Sequence, residues 1–180
     1  MLSDKDIKKL VERKGLVYPL REDCLQPASY DVHLGPYFLD TKTGERRVAW
    51  GARSEFVLPP GELWLGATLE KFDLPANIAA QVEGRSSWGR LGLLTHITAG
   101  FIDPGFSGHV TLELYNVNAY PLVLPTVFDL LLDSTGVEPI AQVSFMKLSS
   151  KAREPYDVKG HYRNPIGPQL SRLKGCVKKR

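Results

Sequence analysis

The sequence predicts a mainly β protein, a sandwich or barrel, preceded by one short helix. Three observations carry that prediction. Short apolar or alternating runs recur from Tyr18 onward, glycine and proline punctuate them, and no amphipathic helices stand between them. A parallel βαβ sheet would need such helices.

The elements can be justified in order. Ser3 stands where an N-cap belongs, with Asp6 three residues later in the place usually held by Glu or Gln. Ile7, Leu10 and Val11 then fall at i, i+3 and i+4, one apolar stripe, and Gly15 supplies a stop. This helix carries no chemical motif and reads as structural. The strands follow as DVHLGPYFL, SEFVLPPGELWLGATL, GHVTLELYNV, LVLPTVFDLLL and IAQVSFMKL, kept short by 13 prolines and 16 glycines. A brief helical turn is expected at 85–91, where SSW can cap it. After Lys151 the chain turns polar and rich in glycine and proline. Residues 1–150 therefore read as a β domain, and 151–180 as a tail that lacks its own core and must lie on something else.

Composition bounds the rest. With 180 residues, 43% hydrophobic and 24% charged, the chain fits one globular domain. No apolar run reaches the ~18 residues of a membrane helix, and the start, MLSDKDIKKL, is too acidic and polar for a signal peptide. A cytoplasmic protein without a membrane partner is expected. A net charge of +3 forces no nucleic-acid footprint. The basic end, KGCVKKR, reads as a solvated tail or as one that meets phosphates. Cys24 and Cys176 are too few and too far apart for a disulfide framework or a zinc site, so both are expected as reduced thiols.

The chemistry concentrates in 84–116. On the strand 109–117, Val110, Leu112 and Leu114 point one way and Thr111, Glu113 and Tyr115 the other. Glu113 is thus a carboxylate opposite an aliphatic face. Upstream, Ile102-Asp103-Pro104-Gly105-Phe106 sets an acid before a tight Pro-Gly turn. Further upstream, Gly84-Arg85-Ser86-Ser87 gathers a guanidinium, two hydroxyls and a glycine, types suited to an anion such as a triphosphate. Arg90 adds a second cation.

At this point a resemblance enters. The block GRSSWGRLGLLTHITAGFIDPGFSGHVTLELYN, with QPASYDVHLG at 26–35 and more loosely the first helix and the YRN near the C-terminus, closely resembles the dCTP deaminases of the trimeric dUTPase superfamily. The resemblance implies a dUTPase-like distorted β-barrel or jelly-roll assembling as a homotrimer. It implies Glu113 as the general base that activates water toward C4 of cytosine, with Ser86 and Arg90 positioning that water and stabilising the tetrahedral intermediate. Arg85 and Ser87 match residues that hold the triphosphate, often from a neighbouring subunit. Asp103 matches an aspartate beneath the deoxyribose, which in dUTPases orients the water that attacks the phosphate chain. Ala99, Gly100 and Phe101 border the substrate, and Tyr156 resembles a tyrosine that contacts phosphate. Zinc deaminases carry a HxE and PCxxC pattern, absent among His33, His96, His109, His161 and the two cysteines, so a zinc-free reaction is implied. No metal is expected on protein side chains; Mg²⁺ would arrive on the triphosphate. dTTP is the feedback inhibitor that the resemblance implies.

Members that release dUTP have His-Arg after the Thr-Ala pair; here Gly100-Phe101 follows, as in bifunctional members that form dUMP and diphosphate. A small residue there is expected to leave room for a water beside Asp103. In the tail, His161 stands where the family often has Lys before the tyrosine, here Tyr162, and Pro165 where it often has Gln; the tail is expected to close over bound nucleotide. A deaminase releasing dUTP, a plain dUTPase and a non-enzymatic nucleotide-sensing trimer stay open as alternatives.

Overall fold

The computed structural model describes residues 1–51, 54–127 and 136–173. Helix α1 spans Asp4–Lys14, with Ile7 and Val11 buried and Leu10 packed against the core. It ends at Gly15, whose N–H donates to the Val11 carbonyl at 2.8 Å. The cap differs from expectation. Ser3 occupies the N-cap position, but its hydroxyl makes no bond to a helix amide and lies 3.4 Å from Asp6 Oδ2. A capping box uses the longer Glu or Gln; Asp is one methylene short of reaching back, and the hydroxyl turns to it instead.

Among the described residues, three antiparallel sheets follow. The first runs β5 (Arg46–Val48), β4 (Tyr37–Asp40), β7 (Leu63–Asp73), β11 (Ser107–Asn116) and β9 (Leu93–Leu94), with β1 (Val17–Tyr18) also on β7. The second runs β10 (Phe101–Ile102), β8 (Ile78–Gly84), β13 (Ala141–Lys147), β3 (Ser29–Val32) and β2 (Leu25–Gln26). The third pairs β12 (Leu122–Thr126) with β6 (Ser54–Leu58). The mainly β expectation holds, and the run DVHLGPYFL divides: its first half joins the second sheet, its second half the first. Pro125 sits on the two-stranded sheet opposite Glu55, where a missing N–H costs least. The run LVLPTVFDLLL is a strand through Thr126; its 128–132 part lies outside the described residues.

Between the sheets lies one core. Trp64, Tyr30, Phe38, Phe72 and Phe145 are fully buried within it, each worth roughly 1.5–3 kcal/mol of burial. Phe38 and Phe56 stack at 3.8 Å. A buried carboxylate ties β3's end to β7: Glu70 Oε1 lies 2.7 Å from His33 Nδ1, and Oε2 accepts the His33 N–H at 2.9 Å. Cys24 is a buried free thiol, its pKa pushed up to about 12 by burial, so it resists ionisation. Cys176 and the basic KGCVKKR end lie outside the described residues.

The tail, as far as residue 173, lies on the barrel. Helix α3 (Tyr156–Lys159) docks on the Asp103 turn through the Tyr156 N–H to Pro104 carbonyl bond, 2.7 Å. Asn164 N–H donates to Ser107 O at 3.1 Å, and His109 N–H to Pro165 O at 3.0 Å. No helix among the described residues is long and apolar enough to cross a membrane.

Candidate active site

Strand β11 alternates as its sequence predicts. Val110, Leu112 and Leu114 are buried; Thr111, Glu113 and Tyr115 are half-buried on the other face. Pairing with β7 sets Glu113 opposite Leu65, while β9 joins the other edge of β11 two residues further on, at Tyr115 and Asn116. The Glu113 side chain enters a cavity of about 580 Å³. There Glu113 Oε2 accepts the N–H groups of Ile97, 2.9 Å, and Thr98, 3.4 Å. That arrangement engages one carboxylate oxygen with the loop and leaves the other for a ligand.

The second acid reaches the same cavity from a turn. Asp103 O accepts the Phe106 N–H at 3.2 Å across Pro104 and Gly105, and Gly105 has φ +84°, the left-handed conformation this turn demands. A Cβ on Gly105 would stand 2.7 Å from Pro155 Cβ, so the same glycine admits the tail. Tyr156 packs on the Phe106 ring at 5.6 Å and its hydroxyl accepts the Tyr162 N–H at 3.0 Å. Tyr162 accepts the Arg172 N–H, 3.0 Å, and its ring lies under the Arg172 guanidinium, 5.0 Å. Each tyrosine hydroxyl therefore accepts from backbone and keeps its own proton to donate. Tyr156, Tyr162 and Gln169 line the cavity with the two acids.

The Arg85 group lies elsewhere. Ser86 and Ser87 open helix α2 (Ser86–Arg90), the brief turn expected here, anchored by the buried Trp88, whose Nε1–H donates to Pro139 O at 2.9 Å. Arg85, Ser86 and Ser87 border a depression of about 470 Å³ with Asp31 and Gln142. Arg85 is already paired there with Asp31, which also accepts from Gln26 Nε2 at 3.1 Å, and with Glu138 at 3.2 Å. Burial raises the Asp31 carboxyl above its ordinary range and the Arg85 charge works against that rise.

Within one chain, then, Glu113, Asp103, Ala99, Phe101, Tyr156 and Tyr162 share a cavity, whereas Arg85, Ser86, Ser87 and Arg90 are not among its lining residues. His161 is exposed and borders a neighbouring hollow with Asp103 and Lys159. Gly100 is buried and packs closely against its neighbours. A Cβ there would stand 2.8 Å from the Val82 carbonyl and 3.4 Å from the His96 ring, while the Gly100 carbonyl accepts the Val82 N–H at 2.8 Å. The glycine lets the loop close against β8; the space it leaves faces Val82 and His96. Sequence reasoning also missed the Ile97 and Thr98 amides, which carry no side-chain signal, and His109, which lines the cavity. Among the described residues no group of three or more His, Cys, Asp or Glu side chains could hold a metal ion.

Fold and cavity first define a class: an antiparallel β-barrel protein with a two-carboxylate cleft lined in part by residues 156–171 of its C-terminal segment. Residues 1–127 match the family model described as dCTP deaminase-like. The chain is 41% identical to the dUMP-forming dCTP deaminase of Dictyoglomus turgidum over 200 aligned residues, covering 99% of this chain and 98% of the relative. It is 42% identical to the enzyme of the same name from Leifsonia xyli subsp. xyli, covering 96% and 90%. Among solved structures, 2′-deoxycytidine 5′-triphosphate deaminase from Agrobacterium tumefaciens shares the fold at TM-score 0.62 and 22% identity over 80% of this chain, which spans 47% of that longer one. The chain belongs to the dCTP deaminase-like family.

Proposed function

We propose that this protein deaminates dCTP and then hydrolyses the phosphate chain, yielding dUMP, diphosphate and ammonia at the expense of two waters. The observation that carries it is the Glu113 carboxylate, held by two amides in a cavity shared with Asp103, in a chain 41% identical to a dUMP-forming relative over almost its whole length. Glu113 takes a proton from water as the oxygen adds to C4 of cytosine, and returns it to the departing amine. Ser86 and Arg90 hold the water and the tetrahedral intermediate. Asp103 orients a second water toward the phosphate chain, with Ala99, Gly100 and Phe101 bordering the nucleotide. Arg85 and Ser87 grip the triphosphate, assisted by Tyr156, His161 and Tyr162. Mg²⁺ enters on the phosphate oxygens of the substrate.

Because the Arg85 group and the Glu113 cavity are separate in one chain, the complete site forms between subunits of a homotrimer, Ser86 and Arg90 coming from the neighbour. Residues 151–180 act as the lid. dTTP, which keeps the triphosphate but lacks the amino group, is the inhibitor this site fits. Chromatography of the products from dCTP with Mg²⁺ tests the reaction. Formation of dUMP and diphosphate is expected; accumulation of dUTP, or cleavage of dUTP with dCTP untouched, would overturn it.

A further inference from the structure

Beside the bases of the proposed reaction, the cavity holds one titratable ring without a role. His109 lines it, at the start of the strand that carries Glu113. Its setting is specific. Between His109 and Thr111, β11 advances from partner Lys71 to partner Ala67, so β7 bulges outward across that step. The bulge takes Thr68 out of the pairing with β11, while its other edge still bridges Leu34. The Thr68 carbonyl meets His109 Nδ1 at 3.0 Å and its hydroxyl accepts the Val110 N–H at 2.9 Å. A carbonyl can only accept, so Nδ1 carries the hydrogen, and in the neutral ring Nε2 is left as a lone-pair acceptor.

Position says what that acceptor meets. Four residues at roughly 3.3 Å each separate His109 from Glu113 by about 13 Å along the strand. A ligand lying on β11 with its base at Glu113 therefore brings its other half to His109. That end is also where the tail is pinned, by the His109 N–H to Pro165 carbonyl bond, and where the Asp103 turn enters β11. We propose that His109 offers its Nε2 lone pair to the water that attacks the phosphate chain, and so sets whether the chain is cut after deamination. Water adds to phosphorus, the bond to the departing diphosphate breaks, and the proton of the water passes to Asp103, with His109 fixing the approach. This rests on the dUMP-forming reading of the cavity.

Two substitutions separate orientation of water from mere support of the fold. His109→Asn keeps a side-chain N–H near Nδ1 for the Thr68 carbonyl and removes the atom at the Nε2 position. His109→Gln can place an acceptor oxygen near that position. With dCTP and Mg²⁺, the ratio of chain cleavage to deamination should fall about tenfold or more in His109→Asn, so that dUTP builds up, and should partly recover in His109→Gln. An unchanged ratio in His109→Asn, or equal loss of both steps in the two variants, would overturn the proposal. Failure of the wild-type protein to form dUMP at all would instead defeat the underlying reading, and the wild-type arm alone reveals it.

Discussion

Glu113 and Arg85 stand in opposite surroundings. Glu113 rises from a ten-residue strand, beside two leucines with no exposed surface, and among the described residues backbone amides bond its carboxylate. Arg85 sits at the entry to a five-residue helix and is already matched by Asp31 and Glu138 of its own chain. The cavity is thus set before any ligand arrives, whereas the Arg85 charge must be shared with, or won from, its own acids. A triphosphate carries more charge than either carboxylate and can compete for it. On the proposed reading, proton transfer and phosphate grip come from different regions, one rigid and one electrostatically poised.

The largest effect should come from the rigid side. Glu113→Gln keeps the shape and the loop contacts but removes the proton acceptor, so deamination should fall about 10²–10⁴-fold while nucleotide binding persists. Steady-state rates with equilibrium dialysis check both halves; undiminished turnover would break the contrast at its root.

A smaller effect probes the poised side. Arg85→Ala leaves Asp31 with little exposed surface and without its main counter-charge, at a cost of about 2 kcal/mol after allowing for the partial exposure of Arg85. The sign with pH follows from the raised carboxyl of Asp31, which burial lifts and Arg85 restrains. Without Arg85 it rises further above the ordinary value of about 3.9, so the folded state retains a proton that the unfolded chain gives up. Stability lost to Arg85→Ala should therefore grow as pH rises through that window and level off above it. Urea titrations at about pH 4 and pH 7 should show the greater loss at pH 7; an equal loss would mean that the Asp31 pairing does not govern Arg85.

Much of this was legible in the residues. The stripe of α1 and its end at Gly15, the alternation that turns Glu113 away from Leu112 and Leu114, the Asp103-Pro104-Gly105 turn and the short helix after Arg85 all depend on neighbours within a few positions. What was not legible depends on distant partners. Strand β8 carries Ala79 and Ala80, weak strand formers, and is held by β13 some sixty residues later, Val82 opposite Val143. Asp31 meets Arg85 only because β3 and β8 flank β13 in one sheet. The close approach of Gly100 to Val82 and His96 was not legible, because it needs the β8–β10 pairing. The backbone amides on Glu113 leave no mark in side-chain identity at all.

The central claim is that the Glu113 cavity of one subunit is completed by Ser86 and Arg90 of another. Coexpression of Glu113→Gln with Arg90→Ala tests it most directly, because each variant alone should be nearly inactive in dCTP deamination. If sites are shared in a ring, random mixing pairs an intact Glu113 with a neighbour's intact Arg90 at roughly one site in four, and the mixed protein should recover about a quarter of the wild-type rate. Mixed protein no more active than its parents would contradict the account, since every site would then draw both residues from a single chain.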